Sequence, residues 1–378
     1  MIHRVCVAFG TRPEASKMGP VVRALRDQPN LEPIVLVTGQ HREQLDSMLR
    51  MFEIPVDVDL GVMTERQALS DLVGRIVPAV GQVLRELAPE YVLVHGDTLT
   101  TFAVSLASFF ENIPIGHVEA GLRSHDLTQP FPEEANRRLT DVITDLDFPP
   151  TSLAKDNLIN EGKPRETIVV TGNTAVDAVR FVAGRFPPPS AIPDGEVIGI
   201  TLHRRENLSI LPELAEVIAE VALAYPHITF IYPVHLNPVV REAVWPALGS
   251  ISNVILDDPW DYPSLISLLQ ASRLFITDSG GIQEEGAALG VPVVVVRNVT
   301  ERPEGVDTGI LRLVGTNPNR VKSQLLQLIG DDEELFTMRA SPNPYGDGKA
   351  ASRITQAVAW RLGEADRPED WFPDDYRG

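Results

Sequence analysis

The sequence predicts an α/β fold of two Rossmann-like, doubly wound parallel-sheet domains facing a central cleft, on three observations. Short apolar runs rich in Val and Ile recur along all 378 residues. Most lack polar alternation, as strands buried on both faces of a parallel sheet do. Longer stretches of helical periodicity separate them and supply crossovers. The chain is also too long for one ordinary core, and its composition shifts at FPPPSAIPDG (residues 186–195), which reads as a connection between two α/β halves.

The elements follow in order. Val5–Phe9 reads as a first strand; it is too short, and lacks the small-residue cleavage site, for a signal peptide. Lys17–Gln28 is the first crossover helix, leading to a strand at Pro33–Val37. Ser70–Leu87 and Thr98–Glu111 are helical and flank a strand at Tyr91–His95. Strands at Ile115–Glu119 and Ile168–Val170 complete the first half. The second half repeats the rhythm with strands at Val197–Thr201, Ile228–Tyr232, Val254–Leu256, Leu274–Thr277 and Val291–Val296. The acidic end, Glu364–Gly378, reads as a surface tail or a final docking segment. In such sheets ligands bind beyond the carboxyl ends of the strands, so the residues just after each strand carry the functional information.

Bulk properties narrow the function. No apolar run of about 18 residues occurs, so no membrane span is expected. Cys6 is the single cysteine, which excludes disulfide scaffolds and cysteine metal clusters and fits a reducing cytoplasm. The formal net charge of −19 repels phosphate polymers, so nucleic acid is not an expected partner. A nucleotide diphosphate would need basic residues and helix N-termini gathered locally.

Such gatherings occur at strand ends. After the first strand, GTRPEASK (10–17) makes a glycine turn into a helix start that favours an anion, beside Arg12 and Lys17. Its spacing is neither a dinucleotide fingerprint nor a P-loop, so no NAD or ATP signal exists. The strand ends His95-Gly96-Asp97 and His117-Val118-Glu119 each set an imidazole and a carboxylate two residues apart, on one side of an extended chain. These pairs suit proton transfer, a mixed His–carboxylate metal site, or plain packing with capping carboxylates. His203-Arg204-Arg205 follows a strand and suits a phosphate-bearing ligand; His235 ends the next one. The clearest physical signal is TDSGGIQEE (277–285), a strand running through Ser279-Gly280-Gly281 into a helix, where small residues let a diphosphate approach backbone N–H groups. Glu285 lies one turn in, within reach of ribose hydroxyls, and Arg302 follows the next strand.

Ten stretches in order, GTRPEASKMGP, VTGQHREQLD, VHGDTLTT, HVEAGLRS, PFPEEANRR, TGNTAVDA, HRRENL, YPVHLNP, TDSGGIQEE and TERPEGVDTG, cover nearly the whole chain. Together they resemble the non-hydrolysing UDP-N-acetylglucosamine 2-epimerase family. The resemblance implies a glycosyltransferase GT-B-like fold, with an N-terminal domain of residues 1–171 plus 357–378 and a UDP-binding domain of 172–356. It implies a homodimer, UDP-GlcNAc and UDP-ManNAc as substrate and product, and no cofactor or metal. It assigns catalysis to Lys17, Asp97, Glu119, Glu133 and His203. Ser279, Gly280 and Gly281 would hold the diphosphate, Arg12 and Arg302 its charge, and Glu285 the ribose. The uracil loop would be residues 260–265, where Trp260 and Leu265 replace the polar residue and the aromatic one that the family pattern implies. Some members bind a second, activating UDP-GlcNAc, for which Gln40, Glu43, Arg66, Arg205 and His235 are the candidate contacts; Glu43 stands where such members carry glutamine.

The implied reaction needs no redox group. Loss of the C2 proton expels UDP from C1 and gives 2-acetamidoglucal; UDP then re-adds while a proton enters the opposite face of C2. Asp97 and Glu133 are the expected proton-transfer groups, with Glu119 orienting or tuning them and His203 assisting UDP departure. The alternatives are a hydrolysing relative releasing ManNAc and UDP, a glycosyltransferase of the same fold, and a non-catalytic sugar-nucleotide sensor.

Overall fold

The computed structural model describes residues 1–39, 42–62 and 68–373, without the side chains of 42–44. It forms two units, Met1–Ala178 with the stretch from Gly346 onward, and Val179–Tyr345.

In unit 1 six strands, β1 (His3–Phe9), β2 (Leu31–Val37), β3 (Val58–Asp59), β4 (Tyr91–His95), β5 (Ile115–Val118) and β6 (Leu146–Phe148), lie in the order β3-β2-β1-β4-β5-β6. Unit 2 contains β7 (Val197–Thr201), β8 (Thr229–Pro233), β9 (Val254–Asp257), β10 (Ser272–Thr277), β11 (Val293–Val295) and β12 (Leu311–Leu313), ordered β12-β11-β10-β7-β8-β9. All pairings are parallel, and both units share one topology. The strand order reverses between β1 and β4 and again between β7 and β10. Those are the switch points at which open α/β sheets bind ligands. The registers Val7↔Leu93 and Thr201↔Thr277 bring the two carboxyl ends together at each reversal.

The residues account for these elements. Val5 to Phe9 of β1 are all buried, which requires apolar side chains on both faces. The helix Arg12–Arg26 starts at a capping box: Thr11 Oγ1 accepts from Glu14 N–H, and Glu14 Oε2 accepts from Thr11 N–H at 2.7 Å. Its face of Ala15, Met18, Val22 and Leu25 packs into the core, each larger side chain stabilising by about 1.5–3 kcal/mol. In unit 2, Ile198, Ile200, Phe230, Tyr232, Leu274 and Ile276 belong to one apolar cluster with the helices Leu211–Ala224 and Pro318–Ile329.

Three details differ from the sequence expectation. Ile168–Val170 is no strand; Ile168 makes one isolated bridge to Asp147, while the sixth place in the sheet goes to β6. β6, like β3 and β12, is two or three residues long and carries a charged residue, so no apolar run announces it. The unit boundaries lie at 178/179 and 345/346, against 171/172 and 356/357 expected. Asp177 explains the shift: its carboxylate accepts from the N–H groups of Ala350 and Ala351 at 3.2 and 3.0 Å, tying the whole helix Ala350–Arg361 to unit 1. Past that helix the chain docks on unit 1 through Trp371 N–H to Val170 C=O and a Lys155–Asp370 ion pair at 2.6 Å. Among the described residues no helix is long and apolar enough to cross a membrane.

Candidate active site

At the β1/β4 switch point of unit 1 the strand-end pairs do not act as extended-chain neighbours. Gly96 and Glu119 take positive φ values of 68° and 66°, so the chain turns sharply and each pair separates. The groups regroup across strands instead. Glu119 Oε2 receives Lys17 Nζ and, at 2.9 Å, Asn173 Nδ2, and lies 3.7 Å from His95 Nε2. Asp97 keeps about a third of its side chain exposed; Arg137 grips its carboxylate, and Asn136 Nδ2 donates to its carbonyl at 3.0 Å. Glu133 opens the helix Glu133–Ile143 half-buried, with a carboxylate oxygen that has no hydrogen-bond partner among the described residues. Arg12 is half-buried in the first turn of its helix. The anion-binding role expected for the Gly10 turn is altered, because Glu14 already takes the N–H groups of Gly10 and Thr11 at 3.0 and 2.7 Å. Arg12 and Lys17 remain the cationic groups there.

His117 takes the hydrogen-bonded role. Its Nδ1 is 2.5 Å from Asp141 Oδ1 and its Nε2 is 2.7 Å from the Gly96 carbonyl. Burial opposes a charge on this ring, but Asp141 and Asp147 outweigh it and raise its pKa above the ordinary value. His117, Asp141 and Asp147 bring their ligand atoms within 4.8 Å of one another. That place already holds two cations, Arg123 at 2.6 Å from Asp141 and Lys163 at 2.9 Å from Asp147. Both ring nitrogens are engaged as well, so the triad is charge-compensated by side chains.

The β7/β10 switch point of unit 2 is organised by Asp278, which is fully buried. It accepts from the N–H groups of His203 at 3.0 Å and Arg204 at 2.9 Å and from Asn207 Nδ2 at 3.1 Å, fixing the turn after β7 against the turn after β10. Ser279 precedes the helix Gly280–Leu289 and makes no side-chain cap, leaving its helix start to backbone N–H groups. Gly280 keeps that approach open: a Cβ would sit 3.1 Å from Arg302 Nη1, tight enough to press on its guanidinium, and 3.5 Å from Arg204 Nη2. Two guanidinium groups therefore crowd the helix start that Gly280 and Gly281 leave bare. Arg302 is steered by Glu284 at 2.8 Å. Arg297, buried, spans from Glu206 at 2.7 Å to Glu301 at 2.8 Å and ties the two basic turns together. Burial disfavours the Glu301 carboxylate, yet Arg297 outweighs it and lowers the pKa to about 2.

The His203 ring stacks on His235 with centroids 5.1 Å apart. Partial desolvation lowers the pKa of His203, Asp278 pulls it up, and His235 and Arg204 add to the lowering; the net direction is down. His235 Nδ1 accepts from Asn237 N–H at 3.1 Å, while Arg205 is exposed at the start of a short 3-10 turn. Glu285 lies half-buried one turn into the helix Gly280–Leu289. In the expected uracil loop Trp260 Nε1 donates to Asp257 at 2.7 Å, and Leu265 is half-buried on the helix Tyr262–Ala271. Gln40, Arg66 and the side chain of Glu43 lie outside the described residues.

Several residues escaped the sequence reading. Arg137 and Asn173 hold the carboxylates of unit 1, Asn136 holds the Asp97 carbonyl, and Asp278 and Arg297 shape the turns of unit 2. Only Asp278 carried a signal, as an acid at the very end of an apolar strand.

Comparison with known proteins identifies relatives of the whole chain. The family described as UDP-N-acetylglucosamine 2-epimerase matches residues 23–359. The UDP-N-acetylglucosamine 2-epimerase of Escherichia coli K12 is 45% identical over 368 residues, covering 94% of this chain and 98% of that protein. The Staphylococcus aureus MnaA–UDP structure superposes with a TM-score of 0.90 at 43% identity, over 98% of this chain and 100% of that one. The Neisseria meningitidis UDP-GlcNAc 2-epimerase structure bound to UDP-GlcNAc gives 0.88 at 42%, over 94% and 100%.

Proposed function

Because the chain belongs to the UDP-N-acetylglucosamine 2-epimerase family, we propose that it interconverts UDP-GlcNAc and UDP-ManNAc without hydrolysis, through 2-acetamidoglucal. One observation carries the reading. Both switch points of one chain are furnished for the two halves of this chemistry, carboxylates and an ammonium in unit 1, and a bare helix start with two guanidiniums in unit 2.

In this reading a carboxylate removes the C2 proton as the bond from C1 to the UDP oxygen breaks and a C1–C2 double bond forms. Asp97 and Glu133 carry the two proton transfers, one on each face of C2. Glu119, held by Lys17 and Asn173, orients the sugar and keeps the local charge balanced. The N–H groups behind Ser279-Gly280-Gly281, with Arg12 and Arg302, stabilise the departing diphosphate. Donors of this kind are worth about 10²–10³-fold each in kcat. His203, with its pKa pulled down, is neutral near pH 7 and donates a hydrogen bond to the leaving diphosphate. Glu285 takes the ribose, and Trp260 and Leu265 line the uracil loop. Return of UDP to C1 with a proton from the other face completes inversion and consumes no co-reactant.

Arg205 and His235 are proposed to touch a second UDP-GlcNAc, and the His203–His235 stack offers a direct link to the reacting diphosphate. We place the enzyme in the cytoplasm, in keeping with its single buried thiol. A homodimer is supported by the exposed Phe109, Phe110, Leu139 and Val142 on the helices Leu99–Phe110 and Glu133–Ile143. Product analysis tests the reaction: purified protein with UDP-GlcNAc alone is expected to form UDP-ManNAc, and free ManNAc as the main product would refute the non-hydrolysing route.

A further inference from the structure

We propose that His117, paired with Asp141, is a positioning residue for proton transfer that sets the turn carrying Asp97. The inference rests on the reading of Asp97 as a proton-transfer group. Its basis is a run of contacts confined to unit 1. The Gly96 carbonyl can only accept, so His117 Nε2, 2.7 Å away, carries a hydrogen. Asp141 Oδ2 takes Arg123 Nη2 at 2.6 Å, which keeps the carboxylate ionised, so Oδ1 also accepts and Nδ1 carries the second hydrogen at 2.5 Å. The ring is thus a buried imidazolium giving a charge-assisted bond to one backbone carbonyl.

That carbonyl belongs to the residue before Asp97. Gly96 sits at φ 68°, its N–H bonds the Val118 carbonyl at 2.9 Å, and its C=O bonds His117. Both neighbouring peptide units are pinned to β5, and the next carbonyl, that of Asp97, is held by Asn136. Glu119 follows His117 by two residues, but its own N–H bonds the Phe148 carbonyl at 3.1 Å, so the ring acts on the Asp97 turn. A purely structural role is poorly served by this arrangement, since a buried ion pair is commonly no better for stability than apolar side chains of the same volume. Its distinctive product is backbone placement, to which a catalytic carboxylate is sensitive; a shift of 1 Å can cost about 100-fold.

The test compares His117→Ala, His117→Gln and Asp141→Asn with wild type, reading kcat, KM and UDP affinity by calorimetry. The glutamine amide reaches about as far as Nε2 and keeps a donor for Gly96. Asp141→Asn leaves Arg123 its bond to Glu161 at 2.7 Å. Expected are a fall of about 100-fold in kcat for His117→Ala with UDP affinity unchanged, recovery of most of it in His117→Gln, and an intermediate value for Asp141→Asn. Wild-type kcat in His117→Ala overturns the proposal, as does equal loss of kcat and UDP affinity in all three variants. If the alanine variant does not fold, wild-type kcat in Asp141→Asn together with no difference between His117→Gln and Asp141→Asn overturns it. A wild type that makes no UDP-ManNAc overturns both this proposal and the reading of Asp97, whereas a working wild type beside an equally fast His117→Ala overturns the positioning role alone.

Discussion

Glu119 leaves β5 through a residue with positive φ, and that turn, not the alternation of the strand, decides what its carboxylate meets. Glu119→Gln keeps an acceptor for Asn173 but ends the ion pair with Lys17. Steady-state assays are expected to show kcat reduced by about 10²-fold, the cost of a misplaced reacting group, with UDP affinity unchanged. Asp177 gives a prediction about stability. Burial pushes its pKa up to about 6, the N–H groups of Ala351 and Ala350 pull it down, and Asp347 adds to the rise. A carboxyl raised above its unfolded value stabilises the fold when protonated, so its contribution is complete below about pH 4 and is lost as pH rises through 6. The destabilisation caused by Asp177→Asn should therefore be greater at pH 5 than at pH 7.5, by about 1.4 kcal/mol, in urea titrations; a constant difference would contradict this. At this scale the sequence exposed the strand-end acids and bases but not their partners. Arg137, Asn173 and Arg297 stand 40, 54 and 91 residues from Asp97, Glu119 and Glu206, which they bind, and only tertiary structure brings such pairs together.

At the scale of elements, the most legible feature was the strand–glycine–helix passage after β10. A strand end, small residues and a helix start are local properties with a local cause. Gly280→Ala tests it: the added methyl would crowd Arg302 at 3.1–3.2 Å, and UDP affinity measured by calorimetry is expected to fall about 10-fold, near 1.4 kcal/mol, while the melting temperature holds. Unchanged affinity would remove Gly280 and Arg302 from the diphosphate site. The turn after β1 was less legible. Its glycine and helix start were plain, but Glu14 fills the same N–H groups from within, a capping choice that the motif leaves open. The short strands β3, β6 and β12 escaped because two or three residues with a charge among them carry no periodic signal. Ile168–Val170 misled for the opposite reason. It is fully apolar and buried, yet backs onto β6 by a single bridge.

Across the whole molecule, each unit has the same strand order and a furnished switch point, which is why bulk patterning predicted the fold class so directly. The unit edges were harder to read, since a helix begun at Thr174 and a return at Gly346 leave no compositional mark. The proposed dimer is tested by Val142→Glu, which places a charge on an exposed apolar position; sedimentation should show the variant shifted toward monomer, and an unchanged dimer would move the interface elsewhere. The central claim is removal and return of the hydrogen at C2. Its most direct test is incubation of the protein with UDP-GlcNAc in D2O, without added NAD or metal, followed by mass spectrometry and NMR of the UDP-ManNAc formed. The account predicts one deuterium, at C2; UDP-ManNAc that keeps its original C2 hydrogen would contradict it.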